Sequence, residues 1–187
     1  MAAHKCRSGH RPPSKNEDTF PLPPRLLKVN VAVLKRKNMN IYGYALAFVC
    51  DLIPDRDGSL TYQYAPQCRY KNKRGLILNR YGNGLFCRFR IPKTYKQCGV
   101  YVVTVNDEPM YVGECINLTS RFNTGYGLIS PRNCFVGGQE TNCRINKLIL
   151  DEVLKGSTVK LWFIHTGNYK AIEKDLRMRR LWPWNKI

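Results

Sequence analysis

Acidic residues are scarce in this 187-residue chain: 13 Asp and Glu stand against 31 Lys and Arg, a formal net charge of +18. Such an imbalance exceeds what solubility requires and points to a polyanionic partner, nucleic acid before membrane. Long apolar runs are missing too. No stretch approaches the roughly 20 residues that span a bilayer, and the N-terminal MAAHKCRSGHRPP lacks the apolar core of a secretory signal. A cytoplasmic protein with no membrane partner is expected. The eight cysteines include no C-x-x-C pair, which fits reduced core thiols better than a redox motif. Histidine is rare, with three in all. His4, Cys6 and His10 fall one short of the four ligands of a structural zinc, and a flexible tail suits that stretch better.

What is present describes a globular protein of one domain or a compact pair, with 43% hydrophobic residues. Its charge is unevenly divided. Residues 1–97 hold 19 basic against 5 acidic side chains and residues 98–187 hold 12 against 8, so the halves are expected to do different jobs. Residues 1–24 read as a Pro-rich basic arm. Residues 25–97 read as a β-rich extension, with strands in LLKVNVAVLKR and YGYALAFVCDLI and a hairpin over 76–91 bending at Gly82-Asn83-Gly84. In the last strand of that hairpin, alternation puts Leu85, Cys87, Phe89 and Ile91 on one face and Phe86, Arg88 and Arg90 on the other. An exposed aromatic with two arginines suits phosphates and bases; a solvated, charge-guarded edge is the plainer alternative.

The second half changes rhythm. CGVYVVTVNDEPMYVGEC (98–115) alternates as a hairpin turning at Asn106-Asp107-Glu108-Pro109. A short helix near 116–123, capped at Asn117 or a neighbour, precedes a Gly-rich loop. TNCRINKLILDEVLKG predicts a helix from a Thr141 cap to Gly156, with Ile145, Leu148, Ile149 and Val153 on one face. TVKLWFIHT (158–166) reads as a central strand holding a structural histidine, His165. A last helix aligns Tyr169, Glu173, Leu176 and Arg180 and stops before Pro183.

This layout resembles the GIY-YIG nuclease family over residues 98–187. Gly99-Val100-Tyr101 stands at the first motif, Tyr111-Val112-Gly113 at the second, and Arg121 follows ten positions after Tyr111. Glu173, on a late helix, and Pro183-Trp184-Asn185 stand at the closing motif. The chain departs from the pattern at one place: a His or Tyr usually stands four residues after the arginine, where this chain has Gly125, with Tyr126 one position late. The resemblance implies an α+β fold, a small central antiparallel or mixed sheet flanked by helices and preceded by the basic extension. It also implies a site of Tyr101, Tyr111, Arg121, Glu173 and Asn185, with Tyr126 in the displaced role.

The residue types suit phosphodiester hydrolysis. A hard divalent ion, Mg²⁺ or Mn²⁺, one per site, takes one carboxylate and several waters, and Glu173 is the expected ligand. Arg121 offers a permanently charged fork to a non-bridging phosphate oxygen. Tyr101 or Tyr111 would position or deprotonate the water, and the resemblance favours Tyr101 as base, although a phenol with its ordinary pKa of about 10 needs nearby positive charge to act so. Asn185 would orient the Glu173 end of the site. Histidine-metal nucleases are disfavoured by three histidines, two of them in the tail, and no Asp followed by Asp/Glu-x-Lys is present. The expectation is a double-stranded-DNA endonuclease of restriction type, prokaryotic-like and nucleoid-associated, acting at least transiently as a homodimer. A structure-selective repair nuclease and a non-catalytic DNA-binding protein are the alternatives.

Overall fold

Residue alternation in 98–115 has a direct structural outcome. In the computed structural model, which describes residues 37–72 and 74–186, β7 (Gly99–Val105) and β8 (Glu108–Cys115) form an antiparallel hairpin. The turn is tighter than the sequence suggests. Asn106 and Asp107 both take positive φ, 48° and 69°, the mirror-image two-residue turn that matches strand twist. Pro109 falls inside β8, where the register slips between Val103 and Thr104; a proline is tolerated there because β8 is an edge strand.

The sheet has five strands in the order β1-β2-β9-β7-β8, with β1 (Asn38–Ile41), β2 (Tyr44–Asp51) and β9 (Val159–His165), every pairing antiparallel. The molecule is therefore mixed α+β. β9 is central, as its apolar run suggests, and His165 at its end holds the Cys98 carbonyl through Nδ1 at 2.8 Å, a structural role.

Each face of this sheet carries its own core. On one, Tyr101, Val103 and Tyr111 meet Leu118, Phe122 and Tyr126 and the helix α2 (Glu140–Leu154) through Ile145, Ile149 and Leu150. A three-residue turn, α1 (Leu118–Ser120), introduces that segment. On the other face, Val100, Val102, Val112 and Trp162 meet Leu176 of α3 (Tyr169–Arg179) and Trp182. A fully buried Val, Leu or Ile contributes about 1.5–3 kcal/mol, so these two layers carry most of the stability. Trp162 Nε1 donates to Thr104 Oγ1 at 3.1 Å, satisfying the buried polar pair between β9 and β7.

Several expectations need correction. The boundary at 97/98 is not a break between domains: β1 and β2 extend the same sheet through β9, and the described residues fall within one compact unit. The hairpin over 76–91 does not form. β6 (Phe86–Cys87) instead pairs with β5 (Gln63–Tyr64), and Leu78 bridges to Phe135; a third small pairing joins β3 (Arg56–Asp57) to β4 (Leu60–Thr61). Phe86 is fully buried in a third cluster with Tyr64, Ile129 and Cys134, while Leu85 is exposed. Phe86 cannot stack on a base, because β5 and the 129–135 segment cover it. Arg88 and Arg90 remain exposed, although Arg88 is engaged with Asp55 and lies over the Tyr62 ring. The residue capping α2 is Gln139, not Thr141. All seven described cysteines are free, four of them buried. The arm over 1–24, with His4, Cys6 and His10, and the strand in LLKVNVAVLKR lie outside the described residues. Among the described residues no helix is long and apolar enough to cross a membrane.

Candidate active site

The site begins with one short turn. Asn117 leaves β8 in extended conformation and its side chain accepts the Ser120 amide at 2.8 Å, an N-cap of the expected kind. After α1 the backbone widens into a π-helical turn over Arg121–Tyr126, with the Gly127 amide reaching back five residues to the Phe122 carbonyl at 2.6 Å. Asn123 fixes this turn by clasping both the amide and the carbonyl of Ile91, at 2.7 and 3.0 Å.

A π turn takes one residue more than an α turn to come round to the same face. Tyr126, five residues after Arg121 instead of four, thereby returns to the face that carries Arg121. Its hydroxyl lies 2.8 Å from that of Tyr101 and 3.3 Å from that of Tyr111. Three phenols from β7, β8 and the π turn are linked through Tyr126, and Arg121 stacks over the Tyr126 ring at 5.7 Å. Tyr126 thus joins Tyr101 and Tyr111, the π turn absorbing the one extra residue between it and Arg121.

The two glycines answer to packing. Tyr101 sits directly opposite Gly113 in the ladder, and a Cβ on Gly113 would stand 2.5 Å from the Tyr101 hydroxyl. On Gly99 it would meet the Ile164 carbonyl at 2.1 Å and the Phe163 ring at 2.7 Å. Gly113 leaves room for the Tyr101 ring to lie flat across β8, and Gly99 admits β9.

Burial decides the electrostatics. Tyr101 and Tyr126 are each 1% exposed. Loss of solvent pushes the Tyr101 phenol well above its ordinary value, and the neighbouring Tyr126 and Tyr111 add to it; Arg121 pulls the other way without reversing the shift. Tyr126 is pushed up as well, again first by burial. A phenol shifted this way is a poor base at neutral pH, and the Tyr101 hydroxyl is engaged with that of Tyr126.

Glu173 approaches from the other face of the sheet. Its carboxylate lies 3.6 Å from Arg177, not against a tyrosine, in an open cavity of about 370 Å³ lined also by Lys174, Asn185 and Lys186. Burial raises its pKa, Arg177 opposes this, and Glu114 adds to the rise. Among the described residues no cluster of three or more His, Cys, Asp or Glu could hold a metal. The wall of this cavity carries Lys174, Arg177, Arg180 and Lys186 beside the one carboxylate, so a hard cation bound there would have to displace Arg177 from Glu173 and keep most of its waters. Glu173 is the residue that would hold one.

Asn185 lines the Glu173 cavity. It clasps Val112, accepting its amide at 3.0 Å and donating to its carbonyl at 2.9 Å. The Trp184 amide bonds the Met110 carbonyl at 2.9 Å and Arg180 reaches that of Pro109 at 3.2 Å. Residues 180–185 thus line the open edge of β8, between the tyrosine face and the Glu173 face. Lys186, next in sequence, lines the Glu173 cavity and also a second cavity that contains Arg121.

Sequence reading missed two supports of the site. Asn146, fully buried on α2, clasps Cys87 through its amide and carbonyl at 3.0 and 2.8 Å and donates to the Tyr126 carbonyl at 2.6 Å. Buried Arg144 bonds the Trp184 carbonyl. Polar residues on the apolar side of α2 were the available signal. Comparison with protein-family models, with curated proteins and with solved structures returned no match.

Proposed function

We propose that the chain is a metal-dependent DNA endonuclease of GIY-YIG type, acting on double-stranded DNA as a restriction enzyme. The reading is carried above all by the hydroxyl chain Tyr101–Tyr126–Tyr111 with Arg121 stacked upon it. Buried phenols linked to one another beside a guanidinium that has no carboxylate partner among the described ion pairs are an expensive arrangement for a merely structural core. The net charge of +18 suits the substrate.

In this reading Arg121 holds a non-bridging oxygen of the phosphodiester and offsets the charge that grows on it as water attacks. The tyrosine hydroxyls hold that water in line. As the water oxygen bonds phosphorus the bond to the leaving oxygen breaks, and the proton released from the water passes through solvent to that leaving oxygen; the Tyr101–Tyr126–Tyr111 hydroxyl chain and the π turn fix the face that Arg121 presents. Asn185 and Asn146 keep β8 and Tyr126 in place by their backbone clasps. A hard divalent cation on Glu173 would supply charge neutralisation and help for the leaving oxygen when bound.

Digestion of mixed plasmid and phage DNA with Mg²⁺, with Glu173→Ala and an EDTA control run alongside, tests the proposal. Discrete fragments from the wild type alone are expected. Binding without cutting, by wild type and variant alike, would leave a DNA-binding protein and sink the enzyme. One active site per chain cutting two strands favours pairing of two chains on the duplex, which sedimentation on a cognate fragment would register.

A further inference from the structure

The Gly82-Asn83-Gly84 bend makes no hairpin, yet its backbone is held from three sides. Buried Asn79 opens the loop: its Nδ2 donates to the Asn133 carbonyl at 2.7 Å and its Oδ1 accepts the Tyr81 amide at 2.9 Å. The Asn79 amide bonds the Cys134 carbonyl, and the Gly82 amide bonds the Asn79 carbonyl, each at 2.9 Å. Gly82 lies so close to the Pro131–Cys134 turn that a Cβ would stand 1.7 Å from the Cys134 carbonyl oxygen. Lys147 of α2 donates to the Asn83 carbonyl at 3.1 Å, and Gln67 donates to that of Gly84 at 3.0 Å. The loop is therefore fixed before any ligand arrives.

Its side chains are not spent in the same way. Arg80 and Asn83 are exposed, and among the described residues neither side chain has a hydrogen-bonding or carboxylate partner. The Arg80 guanidinium lies 5.5 Å from the Tyr81 ring, and Lys186 Nζ lies 5.4 Å from the same ring. Lys186 also lines the cavity that contains Arg121, so the loop stands beside the candidate site. The surrounding sequence adds charge: residues 58–106 hold nine Lys and Arg and no Asp or Glu. Such a stretch attracts a polyanion of any sequence. Arg80 and Asn83 offer more than charge. Arginine pairs bidentately with guanine and asparagine with adenine in the major groove, and a backbone already fixed aims both without an ordering cost.

We propose that residues 80–83 are a base-reading element, with Arg80 directed to a guanine and Asn83 to an adenine of the duplex that is cut. The inference rests on the nuclease reading for the cutting and on this loop for the sequence read.

Arg80→Ala and Asn83→Ala, each in the full chain, test it. Neither side chain supports the fold, so melting temperatures should match the wild type. Each protein is bound in EDTA to duplexes randomised at their centre, the bound fraction is sequenced, and the enriched duplexes are then digested with Mg²⁺. The wild type should enrich one motif. Asn83→Ala should relax a single adenine position and Arg80→Ala a single guanine position. Each should lower affinity for the wild-type motif by about 5- to 150-fold, one bidentate pair's share, and by far less for unrelated duplexes. Loss of a phosphate contact behaves differently, weakening all duplexes alike. Uniform weakening, a motif unchanged in either variant, or no motif in the wild type overturns the reading element, and the nuclease reading stands wherever the wild type still cuts. A motif that relaxes as expected but stays uncut by the wild type with Mg²⁺ keeps the reading element and sinks the nuclease.

Discussion

Replacing Gly113 with alanine separates two explanations of the tyrosine hairpin. If the glycine were there to let DNA approach, one methyl group would leave stability untouched and weaken binding. The structure assigns the space to Tyr101. The added Cβ would stand 2.5 Å from its hydroxyl oxygen and 2.6 Å from Cζ, so the ring must retreat by about 1 Å to reach ordinary contact. Retreat stretches the 2.8 Å bond to Tyr126 beyond hydrogen-bonding range. Overpacking of this kind costs about 1–3 kcal/mol, and the broken buried bond adds about 1 kcal/mol. The entropic gain of Gly→Ala returns roughly 0.5–1 kcal/mol, since Gly113 has no positive φ. The net is a loss of about 1–3.5 kcal/mol, which at a slope of about 2 kcal/mol/M lowers a urea midpoint by about 0.5–1.8 M. In a Tyr101→Val background the obstruction is gone, and the same substitution should stabilise by about 0.5–1 kcal/mol. Equilibrium unfolding of the four proteins of this cycle gives the coupling directly. An equal penalty in both backgrounds, or none in the wild type, would refute the packing argument.

Deleting Gly125 should convert the π turn into an α turn and bring Tyr126 to the fourth position after Arg121; near-ultraviolet circular dichroism and melting temperature should stay close to wild type, whereas deleting Asn123, which clasps Ile91, should unfold the segment. Glu173→Gln should abolish cleavage and yet raise the melting temperature at neutral pH. Its carboxyl titrates above the ordinary 4.5 in the folded protein, so the wild type binds more protons folded than unfolded and loses stability as pH rises through that window; the difference between variant and wild type should vanish below about pH 4. Asn185→Ala removes both bonds to Val112 and should cost about 1–3 kcal/mol, with faster hydrogen exchange at the Val112 amide.

The elements legible in the sequence were those built from local pattern. The β7–β8 hairpin is rich in Val and Tyr around the Asn106-Asp107 turn, β9 is largely apolar, α2 carries its buried residues at helical spacing, and α3 sets Tyr169, Ile172 and Leu176 against the sheet. Long-range pairing was not legible. Gln63–Tyr64 and Phe86–Cys87 are two-residue strands whose partners lie more than 20 positions apart, and nothing in 76–91 forbids the hairpin that the Gly82-Asn83-Gly84 bend suggests. The pairing of β2 with β9 erased the boundary at 97/98 for the same reason. In the candidate site, Tyr101, Tyr111 and Arg121 stand together as the motif spacing implied, and Tyr126 joins them only because an inserted residue is absorbed by the π turn. Asn146 and Asn185 escaped notice in their actual roles because an asparagine clasping a strand backbone has no spacing signature.

The strand order carries a consequence for how the molecule is made. β1 and β2 emerge from the ribosome early and β7 and β8 some fifty residues later, but neither hairpin touches the other; β9 joins them, pairing with both. Until residue 165 has been synthesised, the nascent chain holds two separate ribbons with their edges open. Assembly then depends on contacts more than 100 positions apart, a slow step for any chain, and those open edges are what a holdase would recognise in the interval. Completion of the sheet is thus also the moment at which the tyrosine face first acquires a backing.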